Sequence, residues 1–325
     1  MRKSVALIVA AGIVAVLAGC SSPAEQAAAN CDPLTTAGTA SAQVEASGKL
    51  LASPTVSFPT PLTTSRHETS VLVKGKGTLL TAGTTADIQA SVYDSKTGTL
   101  LTATKYDLTA PLRVVVGNKN DAIGASLQCQ TVGSRIASTV TVEDIAGPQG
   151  VDPSFKLGLK DTLILVTDIQ AGYLAKADGA VQPLKSGFPS VVTAPDGTPG
   201  LSFLDTPAPT KLMTEVLKRG DGATVKEGDQ VVIRYTGVLW ETKAVFDDTS
   251  WARVDGALPA PAAVVAKGTT DGSGLLPGFA KALIGSTVGS QIVVIVPPDK
   301  NVTNPTTIPA GDTPVYVFDV LGIQK

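Results

Sequence analysis

Side chains able to do conventional nucleophilic, acid–base or metal chemistry are scarce in this sequence. His67 is the only histidine, and the cysteines are Cys20, Cys31 and Cys129. A structural zinc site of four cysteines, or of two cysteines and two histidines, is excluded by count. Three cysteines and one histidine would use every one the chain has. A histidine-dependent hydrolase would rest on His67 alone, which lies just before an expected strand and reads as a solvated surface residue. Ordinary hydrolase chemistry is therefore disfavoured. Lys plus Arg number 26 against 28 Asp plus Glu, and a net charge of −2 argues against a nucleic-acid binder.

The chain of 325 residues has room for about two domains. Hydrophobic residues make up 43% and charged residues 17%, enough for a core and against wholesale disorder. With 32 glycines and 22 prolines among many Thr, Ser and Val, short strands and turns are expected rather than a helical bundle.

The N-terminus reads Met1-Arg2-Lys3, then an apolar run from Val5 to Ala18, and predicts a signal peptide over residues 1–19. The tetrad Leu17-Ala18-Gly19-Cys20 resembles the bacterial lipobox, which implies that Cys20 is diacylated and anchors the chain outside the cytoplasm. Residues 20–53, poor in large apolar side chains, are expected to be a flexible tether. Lipidation leaves Cys31 and Cys129, either bridged or as two free thiols, in a compartment where disulfides persist.

The chain repeats. A shift of 145 residues, the separation of Gly75 and Gly220, lays Thr69, Val71, Leu72, Gly77 and Gly83 on Thr214, Val216, Leu217, Gly222 and Gly228. The shared glycines are expected to supply positive φ at turns. Further on the shift drifts: Thr131-Val-Gly-Ser134 matches Thr287-Val-Gly-Ser290, and Asp161-Thr162 matches Asp312-Thr313. Two copies of one module follow. They are expected at 54–172 and 199–325, joined by a segment at 173–198 in which Phe188-Pro-Ser-Val-Val192 can form a strand of its own. Segments such as Gln230–Tyr235, Gln291–Val296 and Val315–Val320 read as strands. Gly278–Leu283 reads as a short helix with Phe279 and Leu283 on one face. The fold class is α+β, an antiparallel sheet wrapped on a short α-helix in each domain.

In the second copy an ordered series appears: Val216–Gly222, Val225–Asp229, Tyr235-Thr-Gly237, Val245-Phe-Asp247, Leu275–Phe279, Val288-Gly289, Pro297-Pro-Asp299 and Phe318-Asp-Val320. This series resembles the FKBP family of peptidyl-prolyl cis/trans isomerases over residues 212–325. The resemblance implies two FKBP-like domains and a rotamase activity in folding exported proteins. It places Phe246, Phe279 and Phe318 around a proline ring, Tyr235 as a face and a hydroxyl, the Leu276 N–H on a substrate carbonyl, and Asp247 at the pocket rim. The reaction suits a chain without conventional catalytic groups. Amide rotation has a barrier of about 18–20 kcal/mol, and the twisted amide, having lost resonance, is favoured by a dry apolar pocket.

The copy departs from the family pattern. Ala263–Val265 stand where an aromatic is usual, Lys300-Asn301-Val302 replace a common tyrosine, and the loop 268–274 is longer. Weak macrolide binding is the expectation that remains. In the first copy the strict shift puts Ala90, Leu101 and Thr102 at Tyr235, Phe246 and Asp247, while a small gap would instead bring up Tyr93, Tyr106 and Asp107. Ile123 and Thr167 replace Phe279 and Phe318, so this copy is expected to be degenerate. The expected protein is a membrane-anchored isomerase acting on proline-containing segments. The alternative is an inactive chaperone-like lipoprotein that grips such segments without turnover.

Overall fold

The computed structural model describes residues 31–324 apart from 249, 254–257, 304 and 306. The expected signal peptide, Cys20 and residues 20–30 lie outside the described residues.

The described residues build two large antiparallel sheets and two separate two-stranded hairpins. The first unit opens with a hairpin of β1 (Glu45–Ser47) and β2 (Thr55–Ser57), followed by β3 (Glu68–Val73), β4 (Thr85–Asp94), β5 (Leu100–Ala103) and β6 (Leu112–Val115). Helix α1 (Ala122–Leu127), β7 (Arg135–Thr141), helix α2 (Val142–Ala146) and β8 (Thr162–Tyr173) complete it. Its sheet order is β3-β7-β8-β4-β5, with β6 also paired to β4.

The second unit has β9 (Ala180–Val181), a hairpin of β10 (Ser190–Thr193) and β11 (Pro199–Ser202), then β12 (Met213–Arg219), β13 (Gln230–Leu239), β14 (Val245–Asp247) and β15 (Ala262–Val265). Helix α3 (Pro277–Leu283), β16 (Gln291–Ile295) and β17 (Pro314–Gln324) follow. The order is β14-β13-β17-β16-β12-β9, with β15 also paired to β13. The expected α+β class is the one observed.

Local sequence explains the elements. Strand β16, Gln-Ile-Val-Val-Ile, is buried at every position, as a strand covered on both faces must be. Pro277 starts α3, where its missing N–H is harmless, and Lys281 lies in the last turn at the negative end of the helix dipole. Phe279 and Leu283 turn inward together, and burying Leu283 stabilises the domain by about 2 kcal/mol. In the first unit the Asp121 carboxylate caps α1 by accepting the Ile123 N–H at 2.9 Å.

Each sheet is also covered on its other face, by its own hairpin. Glu45 pairs with Ser57 in one hairpin and Ser190 with Ser202 in the other, both related by the shift that separates Gly75 from Gly220. Phe58 and Val56 pack with Ala137, Ile164 and Val166 in the first unit. Their counterparts Phe203 and Leu201 pack with Val293, Val315 and Val317 in the second.

Two expectations are corrected by this packing. The segment expected as a tether is folded from residue 31 onward, with Ala40 and Val44 buried in the core. The segment expected as an inter-domain join is largely the second unit's own cover, with Phe188 buried against Trp240. The repeat therefore starts earlier than residues 54 and 199. Its small polar composition hid this, because a hairpin lying on a sheet needs only one apolar side.

Cys31 and Cys129 form a disulfide across 98 residues of sequence. It ties the start of the described chain to the end of α1, and in the chain-entropy view a loop of this size is worth about 4–5 kcal/mol.

The glycines divide into two kinds. Gly83 and Gly228 both have φ of +85°, as expected for turns. Gly75 and Gly220 do not: a Cβ there would collide with the carbonyl oxygen of Val132 or Val288, so close backbone approach is what requires glycine. The units meet where Tyr173 packs between Val232 and Leu321, while Arg113 binds Asp87 at 2.8 Å and Gln324 Oε1 at 2.8 Å.

Candidate active site

A cavity of about 250 Å³ opens between β13, β14, β15, α3 and β17 of the second unit. Tyr235 and Ile233, two residues apart on β13, share the face that lines it. Strand β14 brings Phe246 and Asp247 alongside. Gly237 permits this: a Cβ at that position would lie 2.5 Å from Phe246 Cζ, so the ring can lie over the strand only because no side chain is there. Helix α3 contributes Phe279 from below and Leu276 from its N-cap.

The aromatic rings meet edge to face. Tyr316 has its centroid 4.9 Å from Phe279, 5.5 Å from Phe246 and 6.3 Å from Tyr235. Burial, and then the neighbouring Tyr235 and Asp247, push the Tyr316 hydroxyl above its ordinary pKa, so it stays neutral. The Tyr235 hydroxyl donates to Asp247 Oδ2 at 2.6 Å and holds the carboxylate at the rim. The Leu276 N–H has no hydrogen-bond partner among the described residues, and Leu276 lines the cavity. Apolar walls, one rim carboxylate and one available N–H suit a neutral ring with a flanking amide better than any charged substrate.

The structure brings together Tyr235, Phe246, Asp247, Leu276 and Phe279, all of them expected. Phe318 is a correction. It is fully buried behind Phe279, stacked on it at 4.6 Å with the planes 29° apart, and is not among the residues that line this cavity. The residue on β17 that faces the cavity is Tyr316, which the sequence reading missed. Strand alternation puts both on one face, so the signal was present, but periodicity alone does not say which of the two reaches the opening. Ala262 and Val264 of β15 complete the wall on the side expected to lack an aromatic.

The first unit resolves its open alignment in favour of the strict shift. Ser91 pairs with Ala103 and Val92 with Thr102, as Gly237 pairs with Asp247, so Leu101 and Thr102 stand at the positions of Phe246 and Asp247. Tyr93 lies on the opposite face against Phe58, with centroids 6.2 Å apart. No cavity is needed to place the rest: Leu101, Ile123 and Leu165 pack with Val142, Ala146, Val151 and Leu157. Helix α2 and the loop after it fill with the unit's own side chains the space that is open in the second unit.

Residues 222–320 match the family model described as FKBP-type peptidyl-prolyl cis-trans isomerase. The match lies within the second unit, and that unit carries the FKBP-type isomerase domain. No curated relative matches the chain. Among solved structures it is similar to the three FKBP domains of wheat FKBP73, at 15% identity over 79% of this chain and 94% of that one, TM-score 0.34. It is similar also to the N-terminal domain of FKBP42 from Arabidopsis thaliana, at 16% identity over 37% and 97%, TM-score 0.29. FkpA from Escherichia coli matches at 23% identity over 41% and 51%, TM-score 0.28.

Proposed function

We propose that this chain is an isomerase of X–Pro bonds in exported proteins, held at the outer face of the cell membrane by lipid on Cys20. Its catalysis is non-covalent. Phe246, Phe279 and Tyr316 hold the proline ring, and Tyr235 adds a face. The Leu276 N–H grips a substrate carbonyl, and Asp247 polarises the rim. An amide rotating out of plane loses charge separation, so a water-poor aromatic wall favours it over the planar form. The observation that carries this reading is the set of three rings packed edge-on around one open cavity beside the Tyr235–Asp247 pair. The thinned walls fit only weak macrolide binding.

The tetrad ending in Cys20 supports the anchor, and the Cys31–Cys129 bond supports an oxidising compartment. Metabolic labelling with an alkyne fatty acid tests the location. The wild-type chain is expected to take up label and sediment with membranes, with both lost in Cys20→Ala. Membrane attachment that survives in Cys20→Ala contradicts the anchor. For the substrates, the chain is expected to speed the slow proline-limited refolding phase of a disulfide-bonded secreted protein. An unchanged phase, alongside activity on short peptides, contradicts the assignment to exported proteins.

A further inference from the structure

A groove of about 480 Å³ lies between the outer edge of β12 and the last turn of α3. None of the residues that line the aromatic cavity lines it. Leu212, Val216, Ala282 and Ile284 make its apolar side, and the charged residues that line it are Arg219 and Lys281. Neither of these side chains has a hydrogen-bond or ion-pair partner among the described residues.

The same place in the first unit is filled by the chain itself. The two shifts that lay Gly75 on Gly220 and Thr131 on Thr287 also lay Glu68 and Thr69 on Met213 and Thr214, and Gln128 and Cys129 on Ile284 and Gly285. Strand pairing agrees: Thr69 lies opposite Ser138 as Thr214 lies opposite Val294. The arm of residues 31–36 runs from Cys129 to Glu68. Cys31 is bonded to Cys129, the Gln128 amide donates to the Asp32 carbonyl at 2.6 Å, and the Thr69 N–H donates to the Thr36 carbonyl at 2.9 Å. Thr36 bridges Glu68 in parallel, so the arm ends as an added piece of the sheet edge.

In the second unit that edge is open. The Thr214 N–H points outward by the same register as that of Thr69, and has no hydrogen-bond partner among the described residues. At Gly285, with φ of +85°, a Cβ would meet nothing within 4 Å, where the first unit has its disulfide. Strand β9 covers β12 only farther along, at Lys218 and Arg219.

We infer that this groove docks a short segment of a partner polypeptide. Its backbone takes the Thr214 N–H, an apolar side chain lies on Leu212, Val216 and Ile284, and an acidic side chain meets Arg219 and Lys281. An open strand edge supplies the backbone bond, and the side chains around it set the choice of partner. The acid follows from charge: two unpaired cations flank an apolar surface, and no carboxylate is among the described residues that line it. Lys281 has Ala125 as its counterpart, so the pair of cations belongs to the open copy alone.

The test titrates isotope-labelled whole protein, by NMR, with the peptide acetyl-Ala-Asp-Ala-Leu-Thr-Thr-amide. This peptide follows residues 31–36 with Ala for Cys31 and Pro33, so it offers neither a thiol nor a proline. The Thr214, Ile284 and Gly285 amides are expected to shift with a sub-millimolar Kd. Lysine in place of the peptide's aspartate is expected to weaken binding about tenfold, and so is Arg219→Glu combined with Lys281→Glu in the protein. The first comparison needs no variant to fold. Equal affinity for the two peptides, shifts confined to other amides, or no binding at millimolar peptide overturns the docking site. Thr214 and Gly285 amides that move on dilution of the protein alone assign the groove to a second copy. Amides that move when residues 21–30 are removed assign it to the chain's own N-terminus, and either result overturns the partner.

Discussion

Tyr316 stands edge-on to Phe279, ring centroids 4.9 Å apart and planes at 86°, while Phe318 two residues along the same strand lies stacked behind that ring. One face of one strand thus divides between pocket and core. Tyr316→Leu is expected to lower kcat/KM for a prolyl peptide about tenfold, the loss of about 1.4 kcal/mol of transition-state stabilisation. Phe318→Leu is expected to leave kcat/KM within a few-fold and to cost about 1–2 kcal/mol of stability through the void it leaves. Peptide kinetics with urea denaturation of both variants separates the two roles. A larger kinetic defect in Phe318→Leu would reverse the assignment.

The Tyr235 hydroxyl donates a hydrogen bond to Asp247 and helps to hold that carboxylate at the rim. Tyr235→Phe keeps the ring and removes that bond. The expected result is a roughly three- to tenfold loss in kcat/KM, matching the net worth of about 0.5–1.5 kcal/mol for one such bond. In an Asp247→Asn background the further effect of Tyr235→Phe is expected to shrink, which a double-mutant cycle measures.

Asp319 pairs in register with both Gln291 and Arg234 and is almost wholly buried. Desolvation raises its carboxyl to about 6, against the opposing pull of the Ala177 N–H, the Gln291 amide and the charges of Lys218 and Arg234. The unfolded carboxyl ionises near 3.8, so between the two values the folded state binds more protons. The stabilisation is fully present below about pH 4 and is lost as pH rises through 6, a change of about 3 kcal/mol. Asp319→Asn cannot ionise. Relative to that variant, wild type is expected to lose stability between pH 4 and pH 7 in urea titrations, and parallel profiles would contradict the buried-acid account.

The corresponding position in the first unit is solved differently. Arg135, on β7, binds Asp168 at 2.6 and 2.7 Å, both side chains being 1% exposed, and its guanidinium also donates to the carbonyls of Gly48 and Lys49. Arginine and glutamine have exchanged strands between copies: Arg135 and Gln89 flank Asp168, whereas Gln291 and Arg234 flank Asp319. Arg135→Met strands a buried carboxylate and is expected to cost about 3–5 kcal/mol. It also frees the β1–β2 hairpin, so limited proteolysis is expected to cut within residues 45–57 in the variant before wild type.

Much of this was legible in the residues. The spacing of the shared glycines gave the repeat, although Gly75 and Gly220 serve close approach rather than positive φ. The order from Tyr235 through Phe279 located four pocket side chains and the Leu276 cap, because each sits in a short motif fixed by a turn or strand end. Tyr316 was hidden because both it and Phe318 are inward-facing aromatics, and alternation along the strand does not say which of them the ring of Phe279 covers. The filling of the first cavity was hidden too. Val142, Val151 and Leu157 are ordinary apolar residues whose destination depends on a helix, α2, held by a local capping box between Thr141 and Asp144. Only the first strand of each hairpin fell in a segment expected as tether or join, and the strand expected within 188–192 is the one at Ser190–Thr193; the apolar residues that place these hairpins on the sheets are few and alternate.

The most direct test of catalysis in the second cavity is kcat/KM of the whole chain on a proline tetrapeptide, wild type beside the Phe246→Ala, Asp247→Ala double variant, with folding checked by circular dichroism. The wild type is expected to accelerate an isomerisation that takes tens to hundreds of seconds unaided, and the folded double variant to lose at least about a hundredfold of that acceleration. A folded wild type without acceleration, or a double variant as active as wild type, would contradict the account.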